Sequence, residues 1–524
     1  MKHAVIVASV FLALSCDSVD DRGSCWASAD CPAGQYCART PDGNVCWSDA
    51  EPPVVSGVTV SCSTTPCRRD GVLRVEATAS DGEELAGVEA FIDLDGGTRK
   101  VALTRSGAGW GADLPLRDWP FEAYSRPVIV GVVARDGARN ESTAAASPVE
   151  VTRLRWEREV APSIALTSPA VGDGGELVVG AANGKLHVFD DAGIPRRAPI
   201  AVGIAYHAGA PVIGIDAIWI ASNDGNLYGV ALDAGSVKTE CGTGESIQTA
   251  PVLIGDGTRA LAGSAAAVVA VASTTGLCSL TATAGPVRAT PVATSSGEVL
   301  VASGSTMESF TLLANGALSA NWTGVPPAPA RPSLGGLVTA PLAADEHAIW
   351  SVSSTGNVQA TELDATSTGM GSLGVGASGI AVLKDGNVIL SQESGTLRRL
   401  DPLRSPAWNE SAQLSGVPAT PMVVSGQATQ LIVPTSTGRL YAVRESDGGI
   451  AWSVKLSAAG AALQPANIYT PPGQPAGAVT STAYVSGADG KLYAVIVDGQ
   501  LDTAAPWPKA FHDPRNTNNA GTAP

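Results

Sequence analysis

One phrase recurs along the last two-thirds of the chain, and any fold has to accommodate every copy of it. Its opening, a proline followed by apolar residues, stands at Pro169, Pro211, Pro251, Pro291, Pro341 and Pro421. Ala381 stands in once, and an eighth copy opens near Ala466. Within the copies a glycine precedes a short apolar run at Gly184, Gly225, Gly356, Gly395, Gly438 and Gly490. Two copies lack it, at Ala266 and Thr306. The fullest copy contains Thr420–Val424, Gln430–Pro434, Thr437–Val443 and Gly449–Val454, which read as four strands. The glycine fits a tight hairpin turn, where a positive φ is needed. A four-stranded unit of about 40 residues cannot bury both faces alone, but copies stacked around an axis bury them against each other. The expected fold is therefore all-β, with an eight-bladed β-propeller over residues 154–524.

A ring of blades also has to close. Leu154-Arg155-Trp156-Glu157-Arg158 reads like the fourth strand of a unit, with Trp156 matching Trp452, yet it precedes the first opening phrase. The last unit has Ala483-Tyr484-Val485 and Lys491–Val495 but no fourth strand of its own. Residues 154–160 are thus predicted to supply the outer strand of the last blade.

The 524 residues leave room for more than one core in front of the ring. Glu51-Pro52-Pro53 marks a linker. Short alternating runs follow, including Val58–Ser61, Leu73–Ala77, Val88–Asp93 and Val128–Ala134. That pattern predicts an Ig-like β-sandwich over 51–153, with a local disulfide between Cys62 and Cys67. Residues 16–50 hold Cys25, Cys31, Cys37 and Cys46 with few apolar neighbours, so two disulfides are expected, the pairing being open among three choices. No Cys-x2-Cys knuckle supports zinc.

Residues 1–15 read as an address. A positive start, Met1-Lys2-His3, precedes an apolar run from Ala4 to Leu14, too short for a span of ~20 residues. It ends Leu12-Ala13-Leu14-Ser15-Cys16, which resembles the lipobox of bacterial lipoproteins and implies lipidation of Cys16. The resemblance places the chain in the bacterial cell envelope, with the outer membrane expected and the lipid as its membrane attachment. Of nine cysteines, eight then remain for disulfides. Cys241 and Cys278 lie near the ends of successive units. A bridge between them needs the loops after two outer strands to meet, and two separate thiols are the alternative.

The run Gly-Lys-Leu-Tyr-Ala with a tryptophan in the outer strand resembles the PQQ-like β-propeller repeat. The resemblance covers about 161–500 and is strongest at Gly184–Val188, Gly225–Val230, Gly438–Trp452 and Gly490–Val495. The tail Trp507-Pro508-Lys509-Ala510-Phe511-His512-Asp513-Pro514-Arg515-Asn516-Thr517 is similar to a phrase that flanks such propellers in exported bacterial proteins, and is expected to pack against the ring near its closure. The family includes dehydrogenases and non-catalytic scaffolds, so the resemblance implies a fold and not a chemistry. Its dehydrogenases use calcium, acidic ligands, a stacked tryptophan and often a vicinal disulfide. This chain has no adjacent cysteine pair, and Trp219, Trp322, Trp350, Trp408 and Trp452 fit strand positions. No catalytic residue, metal ligand or cofactor is expected.

The formal charge of −16 argues against nucleic acid, whose binding needs clustered cations. Gly369-Met370-Gly371-Ser372-Leu373-Gly374 matches a dinucleotide fingerprint but reads as a Gly-rich loop without βαβ context. Asp93-Leu94-Asp95-Gly96-Gly97 reads as a hairpin turn, since Thr104 stands where a calcium loop needs an acid. None of His3, His187, His207, His347 and His512 pair at ligand spacing. The expected function is a non-catalytic scaffold binding envelope or surface proteins through the stretches Ser319–Leu337 and Ser457–Ala478. The alternative is an enzyme or binder of a carbohydrate or quinone in the central funnel.

Overall fold

The computed structural model describes residues 24–524 apart from 83–84, 95–96, 205–206, 208, 326–327, 403–404 and 475–478. Residues 1–15, expected to direct export, and Cys16, expected to carry a lipid, lie outside the described residues. The chain divides into two compact units. Among the described residues no helix is long and apolar enough to cross a membrane.

The first unit runs through Cys67 and includes Gly71–Leu116 and Pro127–Glu150. It begins with a hairpin of Gln35–Thr40 against Gly43–Ser48. Disulfides join Cys25 to Cys37 and Cys31 to Cys46, and these sulfurs form the core of the module. A stretch this poor in apolar side chains has little else to bury. Two four-stranded antiparallel sheets follow. One has the order Val54–Cys62, Val72–Ser80, Gly109–Pro115, Thr104–Ser106; the other Glu141–Ala145, Val130–Asp136, Leu85–Leu94, Gly97–Ala102. In Val72–Ser80 the alternation puts Leu73, Val75, Ala77 and Ala79 inward. Cys62 and Cys67 are bonded across the turn that follows the first strand.

The second unit comprises Val151–Pro524 together with Arg68–Asp70 and Arg117–Arg126. Its described residues form eight antiparallel sheets, seven of four strands and one of five. The sheets are counted here in chain order by their first strands: Ala170–Val171, Val212–Ile213, Val252–Ile254, Val292–Ala293, Ala343–Ala344, Ala377–Val382, Met422–Ser425 and Asn467–Tyr469. First strands lie side by side, Ala170–Val171 packing between Val212–Ile213 and Asn467–Tyr469, which joins the last sheet to the first. This arrangement is a β-propeller. Leu154–Glu159 pairs with Lys491–Asp498 as the outer strand of the eighth sheet. Trp156 stands opposite Ala494 as Trp452 stands opposite Ala442, so the two strands share one register.

Tryptophans in or just before the outer strands lock neighbouring sheets. Trp156 donates its indole N–H to the Asp191 carbonyl of the first sheet at 3.0 Å, and Trp408 does the same to Glu445 of the seventh at 2.8 Å. Each ring lies over a glycine, Gly193 or Gly448, where an added Cβ would come within about 3 Å of it. A side chain at either glycine would push the tryptophan out. Where the repeat lacks its turn glycine, Ala267 itself takes the left-handed conformation, with φ 57°.

Cys241 and Cys278 are bonded, with Cα atoms 5.4 Å apart. The bridge runs strand to strand, from Val237–Gly242 to Cys278–Ala282, and not loop to loop as the sequence suggested. The outer strand of the second sheet lies close against the outer two strands of the third.

Candidate functional site

The connections in an antiparallel sheet of four sequential strands alternate between its ends. Second-to-third turns and outer-to-next-inner connections share one end of the propeller, and the other turns share the opposite end. At the first end the segments leading into seven of the first strands, and the start of the sixth sheet's first strand at Ser378, converge on a funnel of about 330 Å³. Its wall includes Ser168, Gly209, Gln248, Arg288, Ser378 and Gln464, and Phe511 of the tail lies at its floor. Arg288 is the one charged residue among the described residues of this lining, and its guanidinium donates to Gln248 Oε1 at 3.3 Å. Ser168 and Ser378 give their hydroxyl hydrogens to the carbonyls of Pro465 (2.7 Å) and Pro418 (2.5 Å).

The floor is built by the tail, which reaches much further than the ring closure. Gln500–Leu501 adds a fifth strand to the seventh sheet. Trp507 then exchanges backbone hydrogen bonds with Val382 of the sixth, and Pro508 accepts from Val423. Further on, Pro514, Arg515, Thr517 and Asn518 accept from Val171, Ile213, Leu253 and Ala293, the first strands of sheets one to four. A row of first strands leaves unpaired edge groups facing the axis, and the tail satisfies them.

Its side chains pair with the repeat itself. Asn516 Nδ2 donates to the carbonyls of Pro169 (3.0 Å) and Pro211 (3.1 Å), and Asn518 Nδ2 to Pro251 (3.0 Å). Asn467 of the eighth sheet also donates to Pro169, at 2.7 Å. The recurrent prolines thus present carbonyls that asparagine amides cap.

Lys509 is 1% exposed, and its amine donates to the carbonyls of Ala510 and Asp513 and to Asn516 Oδ1 at 2.6–2.9 Å. Burial pushes this amine down to about 7, against the attraction of Asp513. The Asp513 carboxylate accepts hydrogen bonds from Thr517 and Thr522. Burial would raise it, but these bonds and His512 bring it below the usual carboxylate range. Beyond the tail, the opposite end carries another concavity, lined by Gly255–Gly257, Ser295–Gly297 and the tail residues Arg515, Asn519 and Thr522.

The two stretched regions of the repeat divide between the ends. Ser319–Leu337 links the fourth sheet to the fifth and lies at the funnel end. Its Pro326 and Pro327 are outside the described residues, while Val325 is 68% exposed. Ser457–Pro465 lies at the same end. Pro471-Pro472-Gly473, by contrast, joins Asn467–Tyr469 to Thr480–Ser486 at the opposite end. A single face formed by both insertions is therefore corrected: counting residues locates an insertion along the chain, and only strand parity says at which end it emerges.

Gly369–Ser372 lies within the outer strand Ser367–Ser372 of the fifth sheet, which corrects its reading as a loop. Leu94 pairs with Gly97, and residues 95–96 lie outside the described residues. His187 and His207 are buried in the ring, which pushes both below the usual imidazole range. Sequence reasoning missed one grouping in the first unit. Asp49, Asp81 and Asp136 come from three separate segments, and their carboxylates approach within 4.8 Å of one another, a donor set of the kind that holds hard cations. Asp136 is 1% exposed and accepts from the Asn140 backbone and amide at 2.8 Å.

No protein-family model and no curated protein matches this chain. Among solved structures, the computationally designed Ika8 protein aligns at 13% identity with TM-score 0.52, over 66% of this chain and 100% of its own. BamB from Moraxella catarrhalis aligns at 13% identity with TM-score 0.49, over 65% of this chain and 98% of its own. At these identities the likeness is one of fold.

Proposed function

We propose that this chain is a non-catalytic, lipid-anchored protein of the bacterial cell envelope, whose eight-bladed propeller is a protein-interaction scaffold working from its funnel end. In this reading residues 1–15 direct export, Cys16 carries the lipid, and the Cys-rich and Ig-like modules precede the propeller. The strand orders of the two front sheets match the A-B-E-D and G-F-C-C′ orders of an Ig-like sandwich, which supports that part of the reading.

The observation that carries the proposal is the surface of the funnel end. Ile204 is 95% exposed and Val325 68%, each on a connection between sheets, above a ring braced by its own tail. Large apolar side chains held in water suit burial by a partner protein. Crosslinking and pull-down from envelope membranes test it. The wild type should recover a partner that the Ile204→Asp/Val325→Asp variant does not. No partner for the wild type, or equal recovery by both, would overturn the proposal.

The funnel favours one other reading, a small polar ligand such as a carbohydrate or quinone held by Arg288 and Gln248. Titration with PQQ and calcium, and with neutral sugars, read by absorbance and thermal shift, separates the two. A shift abolished by Arg288→Ala would favour the ligand.

A further inference from the structure

A second concavity, of about 320 Å³, lies away from the funnel, where Arg68–Asp70 and Arg117–Arg126 pack on the seventh and eighth sheets. All its lining residues belong to the propeller unit. Its back wall is a fixed charge network. Asp498 accepts from Arg153 at 2.6 Å and faces Arg69 at 3.1 Å, and both guanidiniums are buried. Burial would raise the Asp498 carboxyl, but Arg153 and Arg69 outweigh it and hold the group below its usual range. Three guanidiniums, Arg69, Arg126 and Arg153, also surround the Phe121 ring at 5.4–5.7 Å.

Two polar groups on the lining, those of Arg117 and Gln430, matter for what it can hold. Arg117 is half-buried, and no hydrogen-bond or ion-pair partner is found for it among the described residues. Gln430 Oε1 is buried without a donor. Beside them lie Pro120 and Val479. Such a buried acceptor calls for an N–H or O–H from outside. A free guanidinium calls for a carboxylate or phosphate, because it presents paired donors in a plane. Glu122, also on the lining, is exposed to solvent and so screened.

We infer that this cavity binds the free C-terminus of a peptide with a small apolar last residue. The carboxylate sits on Arg117, a terminal amide N–H donates to Gln430 Oε1, and the last side chain lies against Pro120 and Val479. A sugar fits less well, because it needs an exposed aromatic face. Trp119 and Phe121 are only 6% and 5% exposed, and Phe121 is already covered by guanidiniums.

Titration calorimetry on the full mature chain tests this with N-acetyl-trialanine as the free acid and as the C-terminal amide. The free acid should bind, and the amide about tenfold more weakly or worse, because the charge-assisted pair is lost. Arg117→Gln should lose the distinction between acid and amide, and Gln430→Leu should weaken the acid without abolishing it. Neither change removes an internal bond, and thermal melting should confirm an intact fold. No binding by the wild type, equal binding of acid and amide, or undiminished binding by Arg117→Gln would each overturn the inference. Displacement of the peptide by equimolar acetate or phosphate would reduce the site to a general anion site and overturn it too. Because this cavity is not at the funnel end, its failure leaves the scaffold reading standing.

Discussion

Asn516 makes four hydrogen bonds at the axis. It donates to Pro169 and Pro211 and accepts from Lys509 and from Asn467. Replacing it with alanine strands the Pro211 carbonyl, Asn467 still capping Pro169, and removes an acceptor from a buried amine and from the Asn467 amide. A loss of about 3 kcal/mol is expected in urea unfolding, since each unsatisfied buried group costs about 1–3. Lys509 gives a pH signature. Its folded value of about 7 lies below its ordinary 10.5, so between these the unfolded chain holds a proton that the folded chain does not. Stability should therefore rise from pH 7 towards pH 10, and Lys509→Met should flatten that rise. An unchanged slope in the variant would contradict the burial of this amine. Asp498 acts with the same sign, in the acid range. Its folded value is lowered, so the stability it contributes is present above the usual carboxylate range and is lost as acid protonates it. None of these partnerships was legible in the sequence. The tail phrase stood out as a phrase, but Asn516 and Pro169 are 347 residues apart, and pairings at that distance leave no local pattern.

Strands and turns were far more legible, because periodicity and turn glycines are local. The closing strand at Leu154–Glu159 could be read from one tryptophan and one missing partner. The insertions were legible as extra length, but the end at which each emerges depends on how many strands precede it. The turn at Ala267 was hidden, because its left-handed backbone carries no glycine. The contact of outer strands at Cys241 and Cys278 was also hidden, since it depends on how one sheet lies on the next. Cys241→Ala/Cys278→Ala should lower stability by roughly 4 kcal/mol, the chain-entropy value for a bridge of separation 37. Equal stability of wild type and variant under oxidising conditions would show that the two sheets are not tied there.

At the scale of the whole molecule, the propeller unit is held by both of its own ends. Leu154–Glu159 closes the ring from outside, and residues 500–519 bind the edges of the first strands from within. A chain ending at Ala505 should therefore lose far more than a surface tail would, with a lower and broader thermal transition. The proposed anchor makes a separate prediction: Cys16→Ser should move the protein from the membrane fraction to the soluble fraction, and an unchanged distribution would refute lipid attachment. The central claim is that the axis is closed by the chain's own tail, leaving the funnel end as the working surface. Hydrogen–deuterium exchange by mass spectrometry, on peptides spanning 507–518, tests it most directly. Protection matching that of the first strands Val252–Ile254 and Met422–Ser425 is expected. Exchange complete within seconds, as for a free tail, would contradict it.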